Sequence, residues 1–248
     1  MRRLSALVLL LLAACTRPAT VGSPSAPAPL GRAEQLLVVR TADWGATTGT
    51  LRRYERADRS APWRTVGEPI AVVMGRTGLA WDDGVTEAPA GEPRKREGDG
   101  RAPAGIFPVD TAFGFASHAS DAGTRLPYLP LLPTHECVDD GASTHYNTTV
   151  DRATVPRVDW TSSEKMRSIS LYRLGVMVGY NRPPRAGRGS CIFLHVWDGP
   201  SSVTAGCTAM EEPNLRTVVQ WLDPARAPVL VQLTDGAYER RRASWVLP

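Results

Sequence analysis

The chain has 248 residues and 42% of them are hydrophobic, which is enough to bury the core of one moderate domain or two small ones. Its formal charge is +4 at pH 7 and falls to +2 when Arg2 and Arg3 are removed with an N-terminal signal. So small a charge argues against a nucleic-acid partner, which requires a clustered basic surface.

The N-terminus predicts export. Arg2 and Arg3 form a basic start, and Leu4 to Leu12 is an apolar run that suits a signal peptide and is too short to cross a bilayer. Small residues then precede Cys15, which resembles the lipobox of bacterial lipoproteins. The resemblance implies a signal peptide over residues 1–14, acylation of Cys15, and a place on the periplasmic or extracytoplasmic face of the cell envelope, with the lipid as the only membrane anchor. The alternative is an ordinary secretory signal that carries a cysteine by chance.

Composition divides the rest of the chain into a tether, one domain and a tail. Residues 15–35 are rich in Pro, Ala and Ser and predict a disordered tether. The folded domain is expected over residues 36–235. The Arg-rich residues 236–248 are expected to form a solvated C-terminal tail.

Short apolar runs predict a mainly β domain. The first three, at residues 36–40, 50–56 and 70–74, indicate strands of an antiparallel meander. One helix is predicted from Glu211 to Leu222, because its apolar residues fall on one face. Strands and helices do not alternate as they do in a parallel sheet, so we expect a mainly β fold with one or two short helices. Later strands are expected at 106–109, 171–180, 190–197 and 229–233, with a polar loop at 82–105. Irregular structure with short strands is expected at 114–165, and residues 162–166 are expected to form one helical turn at best.

The cysteine count predicts a free thiol. Apart from Cys15, the chain has Cys137, Cys191 and Cys207. An exported protein can form disulfides, but three thiols make at most one pair. At least one cysteine therefore stays free and is a candidate reactive thiol.

Cys207 and His195 can form a nucleophile and its base. His195 lies in a predicted strand, and Cys207 follows a turn shortly before the predicted helix, so the two can meet. A thiol near a helix N-terminus is expected to favour the thiolate. The N–H groups of Gly206 and Cys207 are candidates for an oxyanion hole. Taken alone, the spacing fits a buried cysteine and a core histidine better.

Two ordered motifs resemble the L,D-transpeptidase (YkuD-type) catalytic domain of bacterial envelopes. His195 followed by Thr204-Ala205-Gly206-Cys207-Thr208 is similar to that family's histidine and its Ser/Thr-x-Gly-Cys motif. The stretch from Gly98 to Phe107 is similar to the family's Gly-Asp-x-x-Thr-Pro-x-Gly-x-Phe. The resemblance covers roughly residues 36–235 and implies a YkuD-like β-sandwich of mixed sheets. Val196 after the histidine, Ala205 in place of a second histidine and the lack of an arginine soon after Cys207 indicate a divergent branch.

The resemblance implies a cysteine acyltransferase that acts on peptidoglycan stem peptides. Cys207 would attack the carbonyl of the third residue of a tetrapeptide stem, D-Ala would leave, and an amine of a second stem or of an envelope protein would resolve the thioester. His195 would exchange the protons. Hydrolysis of the same thioester, as by an L,D-carboxypeptidase or a crosslink-cleaving amidase, is the alternative. A catalytically idle envelope-binding lipoprotein is a further one.

Other residues complete the predicted site. A Cys137–Cys191 disulfide is the preferred hypothesis, since it leaves Cys207 free. Asp198 is a candidate to orient His195. Candidate substrate-binding residues are Arg101, Tyr146, Asn147 and Thr208, although Arg101 can equally form a surface ion pair and Tyr146-Asn147 can be turn residues.

No cofactor motif is recognised, and no cofactor is expected. A metal site built from His135, Cys137 and His145 is considered, but the close-spaced ligand pairs of metal sites are lacking. Solvated loop histidines are the preferred interpretation, and we expect no metal.

Overall fold

The computed structural model describes residues 28–82 and 89–248. The predicted signal peptide, Cys15 and most of the predicted tether lie outside the described residues. In the described part the fold is mainly β with a few short helices, which confirms the predicted class. The described strands are β1 Gln35–Thr41, β2 Thr48–Glu55, β3 Arg64–Val73, β4 Leu79–Trp81, β5 Ala102–Gly114, β6 Tyr128–Pro130, β7 His135–Val138, β8 Thr149–Asp151, β9 Ser163–Lys165, β10 Leu174–Val178, β11 Phe193–Val196, β12 Thr208–Met210 and β13 Val229–Thr234.

The main sheet closes on itself. Eight strands follow one another in the order β10-β11-β12-β3-β2-β1-β13-β5, and β5 pairs back onto β10. Strands β1 to β3 form the predicted antiparallel meander, whereas β1–β13 and β11–β12 pair in parallel. Closure depends on the length of β5, which pairs with β13 through residues 105–108 and with β10 through residues 109–114. A closed eight-stranded sheet is not specific to the β-sandwich that the resemblance implies.

The core lies inside this closed sheet and under the helices that cover it. All six residues of β13 are buried, because the strand lies between β1 and β5 and a helix packs on it. The helices are α1 Ala28–Arg32, α2 Ala119–Ala122, α3 Glu212–Trp221 and α4 Asp235–Trp245. Helix α3 matches the predicted helix to within a residue at each end and packs on β10 and β11 through Leu215, Val218 and Val219. No helix in the described residues is long and apolar enough to cross a membrane.

Both predicted ends of the domain require correction. The expected C-terminal tail forms most of α4, which begins with a hydrogen bond from the Ala237 N–H to the Thr234 hydroxyl. Tyr238 and Trp245 of this helix are buried, and Trp245 packs edge-on against Trp81. The sequence-based boundary at residue 36 is also too late, because Leu30 is buried. Apolar burial at both ends, rather than composition, decides where the domain begins and ends.

The region expected to be irregular with short strands contains three short strands that pair into a second sheet. Strands β8 and β9 flank β7, and β9 occupies the segment in which one helical turn was considered at best. Two 3₁₀ turns follow, Met166–Ser168 and Ser170–Arg173. A disulfide between Cys137 of β7 and Cys191 ties this small sheet to the segment that precedes β11. This is the cysteine pairing preferred from the sequence, and Cys207 is free.

Candidate active site

Parallel pairing of β11 and β12 brings His195 and Cys207 to one cavity. His195 lies opposite Ala209, and Cys207 lies just before β12. The Phe193 N–H donates to the Cys207 sulfur at 3.3 Å. Both Cys207 and His195 line a cavity of about 380 Å³. The two residues that carry the proposed chemistry therefore share one site, although the loop between them is long.

The thiol is not at a helix N-terminus. Strand β12 separates Cys207 from α3, which begins at Glu212. Cys207 is buried, and burial is the main cause that raises the pKa of its thiol far above the ordinary value; the charge of Glu164 raises it further. The expectation of a thiolate stabilised by a helix dipole is wrong, because β12 lies between the thiol and the helix and because burial favours the protonated thiol.

A backbone carbonyl orients His195. The Nδ1 atom lies 2.7 Å from the carbonyl oxygen of Val196. Since a carbonyl only accepts, Nδ1 carries the proton and Nε2 keeps its lone pair. This gives the orienting role to the Val196 carbonyl, in place of Asp198. Burial lowers the pKa of His195 to about 4, so the ring is neutral at pH 7 and can accept a proton.

The sulfur of Cys207 has two hydrogen-bonding partners on the backbone. Besides the Phe193 N–H, the Cys191 carbonyl accepts from the thiol at 3.4 Å. Within residues 28–82 and 89–248, no hydrogen bond joins this sulfur to His195. The ring of Tyr172 packs edge-on against His195 with the ring centroids 5.2 Å apart, and Tyr172 belongs to the same buried cluster and cavity wall as Cys207. No motif in the sequence indicated Tyr172.

One of the two proposed oxyanion donors is already used inside the protein. The Gly206 N–H donates to the Thr204 hydroxyl at 3.1 Å, so it already has a partner. Gly206 is needed for space: its φ is +157°, and a Cβ here would lie 2.9 Å from the Arg101 carbonyl oxygen. The Cys207 N–H remains as the candidate oxyanion donor.

Arg101 and Thr208 stabilise the fold instead of facing the cavity. The guanidinium of Arg101 donates to the carbonyl oxygens of Trp44 and Leu79 at 2.9 and 2.8 Å. The Thr208 hydroxyl is buried and donates to the Gln232 side chain at 2.6 Å. Their assignment as substrate-binding residues is therefore corrected, because their polar groups are used inside the protein.

Tyr146 and Asn147 support the segment that leads to Cys191. The Asn147 side chain donates to the carbonyl oxygens of Tyr180 and Asn181 and accepts from the Cys191 N–H at 3.0 Å. Tyr146 is buried, and its hydroxyl donates to Glu97 and accepts from the Gly189 N–H. Neither residue lines the cavity that holds Cys207, so both act on the site through the backbone.

The polar wall of the cavity was missed from the sequence. Glu97, Asp139 and Glu164 line it, and burial is the main cause that raises the pKa of Glu164 to about 7. One carboxylate oxygen of Asp139 is buried without a hydrogen-bond partner. Lys95 faces the same cavity, with its ammonium 2.7 Å from Asp99. These residues are far apart in the chain and form no motif, so no sequence signal indicated them.

Neither a metal site in the described residues nor a similarity to known proteins indicates what the protein does. Among the described residues, no group of three or more His, Cys, Asp or Glu is placed to hold a metal ion, and Cys137 is used in the disulfide. Comparison of the chain with protein-family models, with curated proteins and with solved structures finds no match in any of the three. Arguments about function therefore depend on the site itself.

Proposed function

We propose that the protein is a divergent L,D-transpeptidase-like enzyme that transfers acyl groups from peptidoglycan stem peptides through a thioester on Cys207. The observation that carries the proposal is a free cysteine and a neutral histidine that line one cavity of about 380 Å³. The two motifs in the sequence that resemble the family add support. The mainly β domain would then be a variant of that family's fold.

The chemistry requires a nucleophile, a proton carrier and a donor for the oxyanion. The Cys207 sulfur would attack the carbonyl carbon of the third stem residue, and the Cys207 N–H is a candidate to stabilise the oxygen that becomes negative. Collapse of the intermediate would break its C–N bond, expel D-Ala as an amine that takes up the proton given up by the thiol, and leave the stem on sulfur as a thioester. His195 can then remove a proton from the incoming acceptor, because its Nε2 is open and its ring is neutral.

The proposed setting is the cell envelope. The signal-like N-terminus and its Cys15 would anchor the chain through a lipid, and the domain would reach stem peptides on the extracytoplasmic side. The disulfide between Cys137 and Cys191 supports an oxidising compartment, because such bonds are rare in the cytosol.

Mass spectrometry of the acyl-enzyme tests the proposal. The full chain is incubated with a tetrapeptide stem and, separately, with a carbapenem, and the site of the adduct is located by peptide mapping. We expect one acyl group on Cys207 in each case and none in Cys207→Ala. His195→Gln should still be acylated but should transfer the acyl group to an acceptor amine more slowly, whereas the matched control His118→Gln, which changes an exposed loop histidine, should behave like the wild type. Lack of any adduct on Cys207 would contradict the proposal.

The products separate transfer from hydrolysis. With isolated muropeptides, transfer to an amine gives dimers linked between the third residues of two stems, whereas hydrolysis gives tripeptides. We propose transfer and expect the dimers; tripeptides as the sole product would assign the protein to the hydrolases on the same substrate.

A further inference from the structure

Cys207 has an acid–base neighbour other than His195. Tyr172 is buried in the same cluster as Cys207 and lines the cavity with it, and its hydroxyl donates to Glu164 at 2.6 Å. Edge-on contacts with Phe113 and Phe193, at centroid distances of 5.8 and 5.5 Å, hold the ring in place. A phenol fixed between a thiol and a carboxylate can pass a proton from one to the other.

The fold brings these groups together through the small sheet. Glu164 of β9 pairs with Cys137 of β7, and the disulfide joins Cys137 to Cys191. The carbonyl of Cys191 in turn accepts from the Cys207 thiol. Tyr172 lies on the 3₁₀ turn Ser170–Arg173, which packs on β11. Glu164, Tyr172 and Cys207 therefore come from three separate segments, which meet at the Cys207 thiol.

The charges around Glu164 suit a group that exchanges a proton near neutral pH. Burial raises its pKa to about 7, and the acidic side chains of Asp139 and Glu97 raise it further. Glu164, Tyr172 and Lys95 line the same cavity as Cys207. Arg76 and His195 complete the charged and titratable lining of the cavity.

We infer that Tyr172, held by Glu164, carries the proton of Cys207 during thioester formation, an inference that rests on the proposed acyl transfer. As the sulfur attacks, its S–H bond breaks and the proton bonds to the Tyr172 oxygen. The former phenol proton passes to the Glu164 carboxylate, so one negative charge moves from Glu164 to the reacting sulfur. When the intermediate collapses, the same path returns a proton to the leaving amine nitrogen.

On this path, different residues handle the protons of the two halves of the reaction. Tyr172 contacts the reacting sulfur, and Glu164 acts through Tyr172. His195 is then free to serve the incoming acceptor in the second half of the reaction. The division accounts for the structure, in which Tyr172 lines the cavity with Cys207 and has its hydroxyl bonded to Glu164, while no hydrogen bond joins the sulfur to His195 within the described residues.

The test is the pH dependence of Cys207 alkylation, which needs no peptidoglycan substrate. The full chain is treated with iodoacetamide between pH 5.5 and 9, and the modified Cys207 peptide is quantified by mass spectrometry, so that Cys15 does not contribute. We expect the wild-type rate to rise with an inflection near pH 7. In Glu164→Gln and Tyr172→Phe the inflection should disappear, and the rate at pH 8 should fall about 100-fold, as for loss of a general base. His195→Gln should retain the inflection.

Matched controls and a second measurement make each outcome decisive. Tyr128→Phe removes a phenol that donates to the Ala116 carbonyl, and Glu239→Gln removes an exposed carboxylate; both should alkylate like the wild type. An inflection that persists in both Glu164→Gln and Tyr172→Phe, or disappears only in His195→Gln, would overturn the inference. The Cys207 adduct with a tetrapeptide stem is measured in parallel. A missing adduct with the expected alkylation profile contradicts the proposed function alone.

Discussion

Removal of the disulfide should both destabilise the domain and disturb the thiol. Cys137 and Cys191 are 54 residues apart in the chain, so their bond restricts a long loop in the unfolded state. Loop-closure entropy for a loop of this length corresponds to about 4 kcal/mol. The double variant Cys137→Ser/Cys191→Ser avoids new free thiols, and we expect it to lose about that much free energy of unfolding.

The site should respond because Cys191 is held in an unusual conformation. Its φ is +55°, its N–H donates to Asn147, and its carbonyl accepts from the Cys207 thiol. Loss of the disulfide also frees β7, with which Glu164 pairs. We therefore expect Cys207 to be alkylated faster in the double variant than in the wild type at pH 8, through greater exposure of the thiol.

Urea unfolding followed by tryptophan fluorescence measures the stability change. Wild type treated with a reductant is the matched control and should lose a similar free energy of unfolding, because it loses the same bond without a substitution. A loss below about 1 kcal/mol in both samples would refute the loop-entropy reasoning. Unchanged alkylation of Cys207 would refute the coupling between the small sheet and the thiol.

Three further predictions concern the ionisable side chains of Glu164, His195 and Arg101. Burial raises the pKa of Glu164 from 4.5 to about 7, so its contribution to stability is fully present below pH 4.5 and is lost as the pH rises through 7. Between pH 4.5 and 8.5, the free energy of unfolding measured in urea should fall by about 3 kcal/mol less in Glu164→Gln than in the wild type. Equal falls in the two proteins would contradict this prediction. Burial lowers the pKa of His195 from 6.5 to about 4, so its contribution is present above pH 6.5 and is lost as the pH falls through 4. His195→Gln should lose about 2.5 kcal/mol less than wild type between pH 6.5 and 4 in the same assay, and a parallel pH dependence would show that the ring titrates normally. Arg101→Lys should cost about 2 kcal/mol in urea unfolding, since the carbonyl oxygens of Trp44 and Leu79 lose their donor, while KM for a tetrapeptide stem stays unchanged; a raised KM with unchanged stability would restore a role in substrate binding.

Much of the fold could be predicted because local pattern encodes it. The β1–β3 meander and helix α3 follow from short apolar runs and from one apolar helix face, and both depend on neighbouring residues in the chain. The small sheet could not be predicted in the same way. Its strands β8 and β9 have three residues each, too few to show a period, and they form because they pair with β7.

The candidate site was also predicted only in part, for the same reason. Cys207 and His195 were predicted from motif and cysteine count, since the residue types themselves indicate the chemistry. Glu164 and Tyr172 were missed because long-range pairing alone places them beside the thiol. Arg101, by contrast, was expected at the site, and the structure shows its side chain bound to backbone carbonyls.

The sequence by itself determined a mainly β domain, one short amphipathic helix and at least one free thiol. Only the tertiary structure decided that β5 closes the sheet onto β10 and that the thiol is buried and protonated. The physical reason is the range of the forces involved. Periodicity acts between close neighbours in the chain, whereas burial and the pKa depend on groups that only the folded chain brings together.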